Sequence, residues 1–94
     1  MTALLIVNLT MKDAEKFKAY AAKAPKTLET AGAKVLFKGP AVKVLAGENQ
    51  HKVAVVIEFP SQEAIEKWYY SDEYQSIIPM RDAGADVVFT SYGE

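Results

Sequence analysis

The sequence contains no cysteine and only one histidine. The lack of cysteine excludes disulfide bonds, thiol catalysis and thiolate metal sites, and one histidine cannot build a histidine cluster for zinc, iron or copper. No apolar run approaches the roughly 20 residues that a membrane helix requires. The first apolar residues follow no basic region, which is unlike a signal peptide. These absences predict a cytoplasmic protein with no metal site and no membrane partner.

Neither sign of charge predominates, because the formal net charge is −1, and the lysines are scattered along the sequence. Nothing in the sequence resembles the basic surface of a nucleic-acid-binding protein, so no nucleic-acid partner is expected. A glycine-rich phosphate loop is missing as well, and no cofactor is predicted. The length of 94 residues, half of them hydrophobic, fits a single globular domain over residues 1–94.

Apolar periodicity predicts the order strand, helix, strand, strand, helix pair, strand. Asp13, Ser61 and Ser71 are suited to begin the three helices as N-caps. Pro25 is expected to kink or split the first helix, and Pro79 to bend the third. The segment Val42–Leu45 is expected to extend the second strand. This order is that of the ferredoxin-like βαββαβ fold, an α+β fold with an antiparallel sheet.

Two strands, Ala3–Val7 and Val53–Ile57, are apolar on both faces. In this fold both helical connections lie on one side of the sheet, so the other side is a bare apolar surface on the order of 300 Å² in plan. A second copy of the same sheet, related by a two-fold axis, is the simplest cover, which predicts a homodimer. In the alternative interpretation, Lys38, Lys43 and Glu58 break up the patch and the chain stays a monomer.

A set of residues and short motifs runs along nearly the whole chain: Tyr20, Pro25, Gly32, Lys38-Gly39, Gly47, Glu58-Phe59-Pro60-Ser61, Ala64, Trp68-Tyr69, Ser71, Glu73-Tyr74-Gln75, Arg81 and Gly93. In these residues the sequence resembles a known family of small bacterial proteins, the domain-of-unknown-function 1330 family. The resemblance implies a ferredoxin-like fold whose sheets pair as a dimeric α/β barrel. It implies no reaction, although the wider superfamily includes cofactor-independent isomerases and monooxygenases.

Two charged residues, Glu58 and Arg81, are the candidates for catalysis. Glu58 is the only acid inside a strand pattern, and a carboxylate in apolar surroundings has a raised pKa that suits a general acid or base. Arg81 is the only arginine, and its planar fork is suited to an anionic ligand. The alternative is that both are structural: Glu58 forms a salt bridge or cap, and Arg81 pairs with Glu58 because buried charges need partners.

Three further residues, Tyr20, Lys38 and Tyr69, are the candidates for binding a ligand. Aromatic side chains with polar tips hold and orient flat ligands, and Lys38 reaches a ligand or else extends into solvent. Trp68 and Tyr74 are predicted to be core residues.

Three functions compete on the sequence alone. The first is a module that binds a small, partly apolar molecule in a pocket between the sheet and the helices. The second is a cofactor-independent enzyme, isomerase-like or monooxygenase-like, that uses Glu58 and Arg81. The third is a structural or interaction dimer whose charged pair only holds the fold.

Overall fold

The structure of the protein is a computed structural model that describes residues 2–93. Four strands and four helices follow one another in the predicted order: β1 Ala3–Met11, α1 Ala14–Thr30, β2 Lys34–Pro40, β3 Val53–Phe59, α2 Gln62–Tyr69, α3 Asp72–Gln75, α4 Ile78–Gly84 and β4 Ala85–Gly93. The strands form one antiparallel sheet in the order β2-β3-β1-β4. This confirms the ferredoxin-like α+β fold. None of the helices within residues 2–93 has the length and apolar character that crossing a membrane requires, and the cytoplasmic location stays a prediction.

The helices cover one face of the sheet, which we call the helix face. In β1 every second residue is buried, from Ala3 through Leu9. The register carries the same alternation to the neighbouring strands, because Leu5 is opposite Ile57 and Val7 is opposite Phe89. Residues opposite one another in paired strands lie on the same face of a sheet. The core therefore lies between this face and the helices.

The other face of the sheet, which we call the open face, carries apolar side chains that no helix covers. It includes Leu4, Ile6, Phe37, Val56, Val88 and Tyr92, as the register shows. Phe37 and Tyr92 are each 56% exposed. Of the three residues expected to interrupt this surface, only Glu58 lies on it, since Lys38 is on the helix face and Lys43 is in the exposed loop after β2.

The helix ends follow the predicted local chemistry. Asp13, Ser61 and Ser71 are N-caps whose side chains accept hydrogen bonds from backbone N–H groups three residues later. After α1, Gly32 adopts a φ of 75°, and the N–H of Ala33 bonds the carbonyl of Leu28. This is the left-handed C-terminal turn that glycine adopts without steric cost. It directs the chain from α1 into β2.

Pro25 does not split the first helix. It lies inside α1, which continues undivided to Thr30. Pro79 does not bend one long third helix. It stands in the first turn of α4, a separate helix from α3, where its missing N–H leaves no intrahelical bond unmade.

The segment Val42–Leu45 was expected to extend β2, and this is wrong. The strand ends at Pro40, and residues 41–50 form an exposed loop in which Val42 is 95% and Leu45 is 86% exposed. A bond from the N–H of Ala41 to the carbonyl of Lys52 closes the base of this loop.

Close packing of α4 against α1 positions the only arginine. A side chain at Gly84 would come within 2.6 Å of backbone atoms of Phe17, so only glycine permits this approach. The Gly84 carbonyl also accepts hydrogen bonds from the N–H groups of Lys12 and Asp13. These contacts hold α4 beside α1, with Arg81 directed inward and 7% exposed.

Candidate functional site

A cavity of about 240 Å³ lies between the helix face of the sheet and α1. Its floor is apolar and includes Val7, Val55 and Phe89 from three adjacent strands. Tyr20 of α1, Lys38 of β2 and Arg81 of α4 supply the polar groups of its wall. An apolar cavity with a few convergent polar groups is the usual form of a small-molecule site.

The Arg81 guanidinium is the centre of a polar cluster beside this cavity. Its Nη1 donates to the Tyr74 hydroxyl at 3.2 Å and to the Tyr69 hydroxyl at 3.3 Å, and its Nε donates to Asp82 Oδ1 at 3.0 Å. Its Cζ also lies 4.9 Å from the centroid of the Phe89 ring, a distance typical of a cation–π contact. The charge is therefore buried with partners on several sides.

Tyr20 joins this cluster through Tyr74. The two hydroxyl oxygens are 2.7 Å apart, and Tyr74 itself is completely buried. Trp68 packs on Tyr74 with ring centroids 4.2 Å apart, and the indole Nε1 donates to Thr27 Oγ1 at 3.0 Å. These contacts confirm Trp68 and Tyr74 as core residues, and Trp68 also lines the cavity.

Burial controls the ionisation of the two tyrosines. It raises the pKa of Tyr20, and the nearby Tyr74 raises it further. Burial also raises the pKa of Tyr74, against the opposing effect of its hydrogen bonds with Tyr20 and Arg81. For Arg81, burial disfavours the cation, but hydrogen bonds to Tyr69, Tyr74 and Asp82 outweigh it and raise the pKa. At neutral pH the cluster is therefore two neutral phenols beside a guanidinium cation.

The order of donors in this chain of hydrogen bonds can be deduced from chemistry. Arg81 is always a donor, so the Tyr74 oxygen accepts from it. A hydroxyl that accepts from a cation becomes a better donor, which favours donation from Tyr74 to Tyr20. Each phenol has a single proton. In this arrangement the hydroxyl proton of Tyr20, a residue of the cavity wall, is not used within the cluster and is available to another acceptor.

Four of the five predicted site residues either line the cavity or contact a residue that lines it. Tyr20, Lys38 and Arg81 line the cavity, whereas Tyr69 is connected to it through Arg81 and is not itself part of the wall. Glu58 is the exception. It is opposite Leu4 and Lys34, which places it on the open face.

The expected pairing of Glu58 with Arg81 is therefore wrong, and the carboxylate that pairs with Arg81 is Asp82. Glu58 lies between Ile57 and Phe59, which are both buried on the helix face. The strand alternation turns the residue between them to the other side of the sheet. The sequence already indicated this orientation, because the bulkiest residues of β3, Ile57 and Phe59, alternate with Glu58 and mark the face that packs on the core.

Sequence reasoning missed two contacts of Arg81. Tyr74 was correctly assigned to the core, but its hydrogen bonds to Arg81 and Tyr20 were not predicted. Asp82 gave no signal, since neighbouring residues in a helix do not normally face one another. His51, a loop residue, has its Nδ1 3.0 Å from Thr10 Oγ1.

Comparisons with known proteins support the fold more than any activity. A protein of unknown function from Rhodopseudomonas palustris, RPA0582, has a similar structure, with a TM-score of 0.83 and 19% identity, covering 99% of this chain and 82% of that one. SnoaB from Streptomyces nogalater, described as a cofactor-independent oxygenase, has a TM-score of 0.71 and 6% identity, with coverage of 99% and 92%. A dimeric ferredoxin-like protein of unknown function from Jannaschia sp. CCS1 has a TM-score of 0.74 and 9% identity, with 100% coverage of both chains.

At these identities the likeness shows a shared fold alone. No curated protein matches the sequence. The sequence model of one family, described as Domain of unknown function (DUF1330), matches residues 2–91. This match covers nearly the whole chain and confirms the resemblance seen in the sequence motifs. The chain belongs to the DUF1330 family.

Proposed function

We propose that the protein binds a small, mostly apolar molecule that carries an oxygen acceptor, and that this oxygen accepts a hydrogen bond from Tyr20. The observation that carries the proposal is the hydrogen-bonded chain from Arg81 through Tyr74 to Tyr20, which ends at the wall of an apolar cavity. The cavity volume of about 240 Å³ is slightly below the about 300 Å³ at which small-molecule pockets usually begin. The ligand is accordingly small.

The electrostatics of the cluster favour binding over acid–base chemistry. A general base must be deprotonated near its working pH. The pKa values of Tyr20 and Tyr74 are raised, so both phenols stay protonated. Glu58, the predicted base, is on the open face. A ketone, quinone, lactone or phenolate oxygen fits the donor at Tyr20.

A thermal-shift screen of small ketones, quinones, lactones and phenols tests the proposal. A ligand that binds the native state raises the melting temperature by mass action. Tyr20→Phe removes the donor and should weaken the best ligand by about fivefold, the effect of one neutral hydrogen bond of about 1 kcal/mol. Tyr70→Phe makes the same change at a phenol that is 71% exposed and not part of the cavity wall, and it should leave affinity unchanged. If no compound shifts the wild type, or if both variants respond alike, the chain instead fits the structural dimer.

The second candidate is a cofactor-independent enzyme, and the likeness to SnoaB is the observation that favours it. A preorganised donor such as Tyr20, polarised by Arg81, would stabilise negative charge that develops on a substrate oxygen. Compounds that bind should then be consumed over hours by the wild type, as followed by mass spectrometry. Tyr20→Phe should slow that conversion by more than it weakens binding. Recovery of every ligand unchanged would leave binding as the function.

We also propose that two copies pack through their open faces as a dimeric α/β barrel. Phe37, Val88 and Tyr92 supply large exposed apolar area on this one surface. Monomers rarely leave such a patch uncovered. One similar structure is described as dimeric.

A further inference from the structure

An irregularity in β2 decides which side chain of that strand enters the cavity. Val35 is opposite Ile57, but Phe37 is opposite Val56, so Leu36 is one extra residue in β2. Without it, Phe37 would be opposite Val55 and would share the helix face. The bulge instead turns Phe37 to the open face and places Lys38 beside Val55. Bulges commonly re-aim a side chain near a functional site.

This bulge puts a second cation at the far end of the cavity floor from Arg81. The register joins Lys38 to Val55, Val55 to Val7 and Val7 to Phe89 in one row across all four strands. Such a row spans three interstrand spacings, about 14 Å between the outer backbones. Arg81 lies over Phe89 at one end of the row, and Lys38 stands at the other end.

Unlike Arg81, Lys38 has no partner of opposite charge among residues 2–93. The salt bridges in this part of the chain join Lys12 to Asp86 and Arg81 to Asp82, and no carboxylate here contacts Lys38. Its flexible stem and compact ammonium group suit it to meet an anion at variable distance. The competing explanation is edge protection, because lysines on edge strands discourage pairing with other chains. Lys34 on the same strand faces the other side of the sheet and would serve that purpose without a bulge.

We propose that the ligand is an amphipathic acid, with a carboxylate at Lys38, an apolar body over Val55 and Val7, and the oxygen acceptor at Tyr20. The inference rests on the proposed function, because it names the class of ligand for the same cavity. It makes Lys38 the residue that distinguishes acids from uncharged compounds of the same shape.

The test uses two probes with one carbon skeleton, 3-(4-acetylphenyl)propanoate and 4′-propylacetophenone, in which a methyl group replaces the carboxylate. The affinity of each is measured by calorimetry. Wild type should bind the acid about tenfold more tightly, the lower end of what a hydrogen bond to a charged group contributes at an exposed site. Raising the salt from about 0.05 M to about 1 M should reduce this preference by screening.

The variant Lys38→Met keeps the length of the side chain and removes its charge. Its preference for the acid should disappear, so that it binds the two probes with about equal affinity. Lys34→Met makes the same change in net charge on the same strand and should keep the tenfold preference. Equal affinity of wild type for the two probes overturns the inference, and so does a preference that survives Lys38→Met or disappears in Lys34→Met.

Failure of this inference is distinguishable from failure of the proposed function. If both probes bind wild type equally and Tyr20→Phe weakens both, the oxygen-binding site stands and the role of Lys38 is wrong. If neither probe binds wild type at about 1 mM, a concentration at which even a weak site is half filled, the amphipathic-acid class is wrong. The wider screen of uncharged compounds then decides the proposed function by itself.

Discussion

The Tyr74 hydroxyl should contribute more to stability than any other phenol in the chain. Tyr74 is 0% exposed, and its oxygen contacts Tyr20 at 2.7 Å and Arg81 at 3.2 Å. A neutral hydrogen bond contributes about 1 kcal/mol and one to a charged group about 1.5–3 kcal/mol. In the Tyr74→Phe variant, Arg81 keeps its bonds to Tyr69 and Asp82. The loss of unfolding free energy should therefore be smaller than the sum of these two hydrogen-bond contributions. We expect a loss of about 2 kcal/mol.

Urea denaturation measures this loss, with all proteins at one concentration because a dimer's stability depends on it. The loss corresponds to a melting temperature lower by about 8–16 °C for a domain of this size. Tyr70→Phe is the matched control, since Tyr70 is 71% exposed and lies away from the open face, and it should change stability by less than about 0.5 kcal/mol. A Tyr74→Phe protein within about 0.5 kcal/mol of wild type would refute the view that this cluster is bonded as described.

The fold was predictable because several local signals agree with one another. Two-sided apolar strands, three N-capping side chains and Gly32 after α1 each specify an element or its end. Such signals depend on near neighbours in the chain, which the sequence displays directly.

Features set by strand register were not predictable in the same way. The segment Lys34–Lys38 gives no sign that Leu36 is an extra residue, because the bulge is a property of the β2–β3 pairing. One extra residue reverses the face of every side chain after it. The pairing of Glu58 with Arg81, by contrast, was inferred from closeness along the fold, although the alternation of bulky residues in β3 already indicated that Glu58 faces away from the core. The sheet lies between the two residues, because Glu58 is on the open face and Arg81 is on the helix side.

Three further predictions concern packing, assembly and pH. Trp68→Ala should lower the free energy of unfolding by about 3–5 kcal/mol, because Trp68 is 4% exposed and bonded to Thr27; an unchanged urea midpoint would contradict its role as an anchor. Sedimentation at micromolar concentration should give about twice the chain mass of 10.3 kDa, from an interface of about 1,600 Å². Phe37→Glu on the open face should produce monomers and Tyr70→Glu, 71% exposed on the helix side, should not; a wild-type monomer would rule out the barrel. Last, burial raises the pKa of Tyr20 and Tyr74, so the folded chain retains two protons that the unfolded chain releases near pH 10. Stability from these groups is complete below about pH 10 and falls above it, by at most about 1.4 kcal/mol per pH unit for each tyrosine. Lysines titrate in the same range, so the informative quantity is the difference between wild type and Tyr20→Phe in urea unfolding at pH values from about 9 to about 11. The variant should lose stability less steeply, and equal slopes would show that the Tyr20 phenol ionises as readily in the folded chain as in the unfolded one.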